Sequence, residues 1–360
     1  MHAKFLPGFL IGQIASAALA IAFAAAYVGE VRAQALVVNG EEIADAKLMA
    51  AAKAEGRIDV YGAYPTEAIQ PVLDGFKKDT GLGLEYIRIP SSRMYDRVLA
   101  EFASGKLEAD YADLTDLTLI KEWVSRGILA AYKVPWHDKI AANLKHPDGR
   151  WYYIVRPIYV IGVNTAEVAE KDYPKTWKET LEGKWKGKVG MQAIDAGGSA
   201  VTLHSFLRIK VAENAWTMLR DNEPRLQSTI APVVNDLVRG RTPIAYVDAN
   251  SIVAQSRNGA PLKAIFPAEG IPSFGAFGNV TSTSKHPNAA KVWVNYVTSK
   301  RGSTLMSSSG AYGTHPDAAP PSAPGMTFPP QDKVWTIDAG LWDKIQEPWQ
   351  KEWKETVLKK

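Results

Sequence analysis

The sequence predicts an α/β protein built of two lobes. Strand-like and helix-like segments alternate from residue 57 to 126, and a second alternating run extends from 159 to 249. Short strands that alternate with amphipathic helices at this spacing form parallel, right-handed β-α-β units. The chain has 360 residues, and at roughly 100–200 residues per domain this length accommodates two lobes.

The first 35 residues have the pattern of a secretory signal peptide. Lys4 precedes an apolar run over residues 14–28, and residues 33–35, Ala-Gln-Ala, match the small-x-small pattern of a signal-peptidase site. The apolar run is shorter than the ~20 residues needed to cross a bilayer. We therefore expect export with cleavage near Ala35; an uncleaved membrane anchor is the alternative.

The composition excludes several classes of function. The chain has no cysteine, so disulfides, thiolate-bound zinc and thiol catalysis are excluded. The formal charge of +4 falls to +3 once Lys4, Glu30 and Arg32 leave with the leader. The lysines and arginines are scattered rather than clustered, and the sequence therefore does not favour nucleic-acid binding.

The first lobe is predicted from apolar periodicity between residues 42 and 126. Apolar residues that repeat near every 3.6 positions indicate helices, and Gly56 is a typical helix end. The predicted elements are a helix over 42–55, a strand over 57–61, a helix over 67–79, a strand over 83–89, a helix that begins after Pro90, a strand over 109–114 and a helix over 116–126.

The middle of the chain predicts a second lobe, and later segments return to the first. The predicted elements are strands over 159–164, 189–193 and 242–249, a glycine-rich turn and helix over 195–209, a returning strand over 274–282, a helix over 285–306 and a final helix over 338–357. Tryptophans at 342, 349 and 353 predict that the final helix docks on a lobe. The predicted organisation is a first lobe of 36–158 and 270–325, a second lobe of 159–269, and a C-terminal tail and helix over 326–360.

Four segments carry a resemblance to a known family. They are "LMAAAKAEGRIDVYG" at 48–62, "FKKDTGLGLEYIR" at 76–88, "RMYDRVLAEFASGKLEADYADLTD" at 93–116 and "SKHPNAAKVWVNYVTSKRGSTLM" at 284–306. In this order and spacing they resemble the periplasmic solute-binding proteins of ABC importers, in the group that includes the ferric-iron-binding proteins.

The resemblance implies a type II-like periplasmic-binding-protein fold, with two lobes joined by crossing strands near 155–165 and 270–282. A monomer in the periplasm would close on a small-molecule ligand between the lobes and deliver it to a membrane permease. The resemblance implies no cofactor, no resident metal and no catalytic residue. A binding module that signals through a receptor would use the same closure and is an open alternative.

Three strand-to-helix turns are expected to face the cleft of such a fold. Unsatisfied N–H groups and the helix dipole make a helix N-terminus suited to an anion. The candidate residues in these turns are Tyr64, Thr66, Ser91, Ser92 and Arg93 in the first lobe, and Gly198 and Ser199 in the second. In the alternative interpretation the hydroxyl groups only cap helices, Tyr64 only packs, and Arg93 is solvated.

Three further residues are candidates if the two-lobe interpretation holds. Arg156 precedes a crossing strand, where it could reach a bound anion, although it could equally be a surface arginine. Tyr246 and Asp248 end a strand of the second lobe and could bind a hydroxyl or ammonium group of a ligand. Buried packing at the strand end is the alternative for Tyr246.

The ligand class is predicted from the tyrosines. Ferric binders of the resembled group present adjacent tyrosines in the second lobe, and the matching position here, Tyr246-Val247, has one. A small organic anion, such as a carboxylate, phosphonate or phosphate ester, is therefore favoured, with ferric iron as the alternative. A secreted hydrolase or transferase is a remote alternative, because the chain lacks the G-x-S-x-G, P-loop, H-E-x-x-H and G-x-G-x-x-G motifs.

Overall fold

A computed structural model describes Met1, His2 and residues 34–358. The predicted signal peptide falls almost entirely on residues 3–33, which lie outside the described part of the chain. Among the helices of the described residues, none combines the length and the apolar character that crossing a membrane requires.

The described residues alternate between strands and helices, as the periodicity predicts. The strands are β1 (Leu36–Val38), β2 (Glu41–Ala44), β3 (Arg57–Gly62), β4 (Gly83–Arg88), β5 (Tyr111–Leu114), β6 (Tyr152–Val155), β7 (Tyr159–Asn164), β8 (Val189–Gln192), β9 (Arg225–Gln227), β10 (Ile244–Asp248), β11 (Leu262–Ile265), β12 (Ile271–Ser273), β13 (Ala276–Val280) and β14 (Val334–Thr336). The α-helices are α1 (Ala46–Glu55), α2 (Thr66–Thr80), α3 (Ser91–Ala103), α4 (Leu117–Ser125), α5 (Gly198–Phe206), α6 (Ala215–Asn222), α7 (Ile230–Val238), α8 (Ala249–Arg257), α9 (Pro287–Thr298), α10 (Lys300–Ser307) and α11 (Ala339–Trp353).

The first sheet has five strands in the order β4-β3-β5-β13-β6. Strands β3, β4 and β5 run parallel, which is the arrangement that their helical connections require. Strand β13 enters from far along the sequence and is antiparallel to β5 and β6. Trp293 of α9 packs edge-on against Phe76 and Tyr111, so the returning segment also completes the core on one face of this sheet.

The second sheet also has five strands, in the order β11-β7-β10-β8-β9. Strand β7 is antiparallel to β10 and β11, whereas β8 is parallel to β9 and β10. Because β8 and β10 are parallel, their carboxyl ends lie at the same edge of the sheet. The helices that follow these two strands, α5 and α8, therefore begin at this edge.

Two segments cross between the sheets. Residues 156–158 join β6 to β7, and residues 274–275 join β12 to β13. An antiparallel bridge pairs Ile158 with Ser273, and β14 from the tail pairs in parallel with β12. Two five-stranded sheets joined by crossing segments confirm the predicted two-lobed α/β class.

Helix α11 lies against helices of both lobes. Near its start, Trp342 Nε1 donates a 2.8 Å hydrogen bond to Thr118 Oγ1 on α4, which follows the first sheet. At its end, Trp353 is fully buried, and its ring centroid lies 5.1 Å from that of His204 on α5. The C-terminal helix therefore contacts the first lobe with one end and the second lobe with the other.

Two predicted helix boundaries are wrong. The helix predicted over 42–55 begins only at Ala46, because Asn39 and Gly40 adopt φ angles of 53° and 80° and turn β1 into β2. The single helix predicted from the segment at 284–306 is two helices. Ser299 separates them, because its hydroxyl accepts a 3.0 Å hydrogen bond from Gly302 N and caps α10.

Candidate functional site

The turn after β3 holds a buried tyrosine whose hydroxyl is unpaired. Ala63 N donates a 2.7 Å hydrogen bond to Asp113 Oδ1, and Tyr86 Oη donates a 2.6 Å bond to the carbonyl of Tyr64. The backbone of the turn is thus held at two points. The Tyr64 hydroxyl is buried and has no hydrogen-bond partner in the described part of the chain.

The second lobe contributes four polar side chains from the facing strand ends. Tyr159 Oη donates a 2.9 Å hydrogen bond to Gln192 Oε1 at the end of β8. Burial raises the pKa of Tyr159, and a hydrogen bond with Ser199 partly offsets the rise. Asp248 caps α8 by accepting bonds of 2.8 Å from both N and Oγ of Ser251. Burial raises the pKa of Asp248, and the bonds from Ser251 oppose this rise.

The Tyr64 turn is linked to this group through the effect of Asp248 on the pKa of Tyr64. Burial raises the pKa of Tyr64, and the charge of Asp248 raises it further. The same carboxylate also raises the pKa of Tyr159. We call Tyr64, Tyr159, Gln192, Ser199 and Asp248 the interlobe cluster, because its members come from both lobes and are linked through Tyr159 and Asp248, which pair across β7 and β10.

A second contact between the lobes lies at the start of α5. A Cβ atom built on Gly198 would lie 2.5 Å from the carbonyl oxygen of Thr115, so only glycine permits this approach. Thr115 is in turn held by Ser91, whose Oγ lies 2.8 Å from Thr115 Oγ1 and accepts a 3.0 Å bond from Thr115 N. The predicted turns at Ser91 and Gly198 therefore meet through Thr115.

The predicted hydroxyl groups do not cap their helices. The N-cap residues of α2, α3 and α5 are Pro65, Pro90 and Gly197, and none provides a side-chain cap. Thr66 and Ser91 are instead the first residues of their helices, which corrects their interpretation as N-caps. The first N–H groups of these three helices therefore keep no side-chain acceptor at the cap position.

Three predicted site residues lie apart from these contacts. Arg93 is exposed and makes no ion pair or hydrogen bond within the described residues. The Tyr246 hydroxyl lies 2.5 Å from Thr180 Oγ1 beneath Trp177 in the interior of the second lobe, so it is already paired. The side chain of Ser92 lies outside the described part of the chain.

Arg156 lines a cavity of about 940 Å³ beside the crossing segments. Among the described residues that form its walls, none belongs to the interlobe cluster. The structure thus brings together Tyr64, Ser199 and Asp248, links Ser91 with Gly198, and places Arg156 elsewhere.

Tyr159, Gln192 and Thr115 also lie at these contacts, although the sequence pattern did not single them out. Gln192 is the last residue of β8 and the last but one of the strand predicted over 189–193, and Thr115 directly follows the strand predicted over 109–114. Both positions carry the same strand-end signal that identified Tyr64 and Asp248. Tyr159 begins a crossing strand, and periodicity does not reveal which way its side chain points.

One group of potential metal ligands lies within the first lobe. Asp59, Asp110 and His286 are close together, but Asp110 accepts hydrogen bonds from Asp59 N, Ser284 Oγ and both N and Nδ1 of His286, at 2.8–2.9 Å. These bonds tie the start of α9 to β5. These three residues are therefore explained as a hydrogen-bond network that stabilises the fold rather than as a metal site.

The comparisons with known proteins agree with this geometry. The profile of a family described as bacterial extracellular solute-binding protein matches residues 107–333. The Fe(3+)-binding periplasmic protein of Serratia marcescens is 21% identical over 277 residues, which are 73% of this chain and 79% of that protein. Both descriptions name binding proteins rather than enzymes.

Two solved structures are similar in fold. The substrate-binding protein of an ABC transporter from Agrobacterium tumefaciens superposes with a TM-score of 0.72 at 16% identity and covers 84% of this chain and 94% of its own. The periplasmic binding protein AfuA from Actinobacillus pleuropneumoniae, with fructose-6-phosphate bound, has a TM-score of 0.69 at 19% identity, with coverages of 84% and 99%. At these identities the likeness shows the fold alone.

Proposed function

The chain belongs to the bacterial extracellular solute-binding proteins, and on this premise we propose that it captures a small organic anion carrying a hydroxyl or amino group. The ligand lies between the two lobes, which close on it in the periplasm. The loaded protein then delivers the ligand to the permease of an ABC importer. The chain acts as a monomeric carrier and needs no cofactor.

The observation that carries this proposal is the meeting of α3 and α5 at Thr115. Both helices begin without a side-chain cap, and their N-termini approach from opposite lobes. Each contributes unsatisfied N–H groups and the positive end of its dipole. Two such helix ends at one contact between the lobes suit a carboxylate, phosphonate or phosphate group.

The interlobe cluster supports the proposal that the ligand carries a hydroxyl or amino group. Asp248 offers carboxyl oxygens as acceptors, and the Tyr64 hydroxyl is buried without a partner in the described residues. Leaving a buried hydroxyl unpaired costs about 1–3 kcal/mol. A ligand hydroxyl or ammonium group that contacts Tyr64 and Asp248 would remove this cost, and it would do so only when the lobes are closed.

Ferric iron is the second candidate, because Tyr64, Tyr159 and Asp248 of the interlobe cluster are hard oxygen donors. Iron binding requires phenolates, and burial together with Asp248 raises the pKa of both tyrosines, which opposes their ionisation. Titration with Fe(III)-citrate tests this candidate. A stoichiometric complex with a visible tyrosinate charge-transfer band would replace the organic anion with iron.

A thermal-shift screen of the mature protein tests the organic-anion proposal. The panel contains hydroxy and amino carboxylates, phosphonates and phosphate esters, with ferric chelates and polyamines as comparison classes. A ligand at one hundred times its Kd should stabilise the fold by about 2.7 kcal/mol.

Ser199→Trp should abolish the shift, because the indole would fill the space between the lobes. Ser104→Trp, at the exposed far end of α3, is the control and should respond like the parent protein. No response to any anion, or an undiminished shift in Ser199→Trp, would contradict the proposal.

A further inference from the structure

We propose that the cavity around Arg156 is a second ligand site, which binds a small carboxylate with an apolar body. The cavity lies beside the crossing segments, and its described wall residues exclude the interlobe cluster. Its ligand is therefore separate from the transported solute, and this inference holds whichever solute the cleft binds.

Arg156 is a buried cation without a counter-charge. Arg156 is 4% exposed. Within the described residues, no carboxylate lies in ion-pair range of its guanidinium group. Nη2 donates a long 3.3 Å hydrogen bond to the carbonyl of Gly313, and Nε has no partner. Burial lowers the pKa of Arg156 to about 10, so it remains charged at neutral pH.

A buried charge of this kind is destabilising until an anion pairs with it. Guanidinium groups bind carboxylates through charge-assisted hydrogen bonds, and Arg156 is one of the residues that line the cavity. The positive charge of Arg156 therefore indicates the chemistry that the cavity accepts, which is a small anion.

The other charges around the cavity also favour an anion. Lys139 and Lys210 are exposed at its edge and form no ion pair within the described residues. The acidic residue in the described wall, Glu269, accepts hydrogen bonds from Trp177 N at 3.1 Å and Lys178 N at 3.0 Å. These bonds hold Glu269 against the backbone of residues 177–178, and it forms no ion pair with Arg156 within the described residues.

Apolar side chains form much of the remaining wall. Phe206 and Trp335 pack with ring centroids 5.6 Å apart, and Phe266 and Ile271 also line the space. The volume of about 940 Å³ lies within the ~300–1,000 Å³ typical of small-molecule sites. A ligand with a carboxylate at Arg156 and an aromatic or aliphatic body against these rings would match both the charged and the apolar parts of the cavity wall.

Isothermal titration of the full mature chain tests this site. Benzoate and hexanoate serve as the aromatic and aliphatic probes, and benzylamine is the cationic counterpart of benzoate. We expect one-to-one binding of at least one acid and no binding of benzylamine. Lys139→Ala with Lys210→Ala should weaken acid binding a few-fold, whereas Lys77→Ala, an exposed lysine on α2, should leave it unchanged.

Two substitutions locate the binding. Ala268→Trp fills the cavity from an exposed wall position and should reduce acid affinity at least tenfold; Ala100→Trp, on the exposed face of α3, is its control. Arg156→Met should abolish binding, with circular dichroism to confirm folding. If Arg156→Met does not fold, Ala268→Trp decides the question.

Acid binding by the two tryptophan variants distinguishes this cavity from the cleft between the lobes. Acid binding that survives Ser199→Trp but not Ala268→Trp supports the proposal. Acid binding that is lost in Ser199→Trp would assign the acids to the cleft and overturn it. Equal binding of benzylamine, no binding of either acid, or full binding to Ala268→Trp would also overturn it.

Discussion

Asp113 is a fully buried carboxyl group beneath the Tyr64 turn. Its Oδ1 accepts the 2.7 Å bond from Ala63 N, whereas Oδ2 has no partner in the described residues. Burial raises the pKa of Asp113 to about 7, and the bond from Ala63 only partly opposes this rise. Burial and the charge of Asp113 also raise the pKa values of Tyr86 and Tyr111. At neutral pH the folded protein therefore holds a carboxyl group close to its titration point.

This group predicts a pH-dependent stability. Between the unfolded pKa near 4 and the folded pKa near 7, the folded state keeps a proton that the unfolded state has released. The free energy of unfolding should therefore fall as the pH rises through this range, by at most about 4 kcal/mol, and the loss should stay constant above it.

Asp113→Asn should remove this fall, because the amide oxygen still accepts from Ala63 N and carries no charge. Urea unfolding at pH 5 and pH 8 measures the effect in both proteins. An unchanged difference between the two pH values in Asp113→Asn would show that Asp113 is not the group responsible.

At the scale of single residues, Tyr64, Ser199 and Asp248 were predicted because they lie at or after strand ends that should face the cleft between the lobes. Thr66 and Ser91 were interpreted as possible caps because hydroxyl residues favour helix starts, yet a proline takes the cap position before each. Tyr159 was missed because the orientation of a side chain near a crossing segment depends on long-range packing.

Helix α11 contacts both lobes through its tryptophans. Trp342 contacts Thr118 of the first lobe, and Trp353 contacts His204 of the second. Trp353 is fully buried beside His204, and removal of such a side chain typically costs about 3–5 kcal/mol. Trp353→Ala should therefore lower the free energy of unfolding by roughly this amount in urea titrations.

Glu352→Ala is the matched control on the same helix. Glu352 forms a 2.7 Å ion pair with Arg208, but its side chain is 48% exposed. Exposed pairs contribute less than about 1 kcal/mol. A loss in Trp353→Ala no larger than that in Glu352→Ala would show that α11 contributes little to the core.

At the scale of elements, strong periodicity predicted most helices and strands, and local turn chemistry explains the errors. Asn39-Gly40 is a hairpin signal, but the alanine-rich stretch after it was assigned to one long helix. Ser299 lies within a continuous helical pattern, and only its hydroxyl bond to Gly302 N reveals the break. Helix α11 was expected to dock on a lobe from its tryptophan spacing, but its contact with both lobes required the tertiary structure.

At the scale of the whole molecule, the lobes are observed in contact around the candidate site. Gly198 lies against Thr115, and Tyr64 lies near Asp248. Periodicity predicted the two sheets and the returning strand. It could not predict the separation of the lobes, because that depends on a few interlobe contacts of small energy. Among these interlobe contacts, we expect the one between Gly198 and Thr115 to limit how closely the lobes can approach.

Gly198→Ala should shift the protein towards an open state. The added Cβ atom would lie 2.5 Å from the carbonyl oxygen of Thr115 and 3.1 Å from the Cα atom of Asp116. Both are backbone atoms, so the lobes must move apart to accommodate it. Overpacking of this kind costs about 1–3 kcal/mol, which corresponds to a roughly 5- to 150-fold loss of ligand affinity.

The substitution should not unfold the protein, because alanine stabilises a helix relative to glycine by about 1 kcal/mol. Small-angle scattering of the ligand-free protein should show a larger radius of gyration, and the thermal shift with the cleft ligand should decrease. Gly183→Ala, an exposed second-lobe position where a Cβ atom meets nothing within 4 Å, is the control. If Gly198→Ala and Gly183→Ala scatter and bind alike, the Gly198–Thr115 contact does not limit closure, and the ligand must be held by the Asp248 side of the cleft alone.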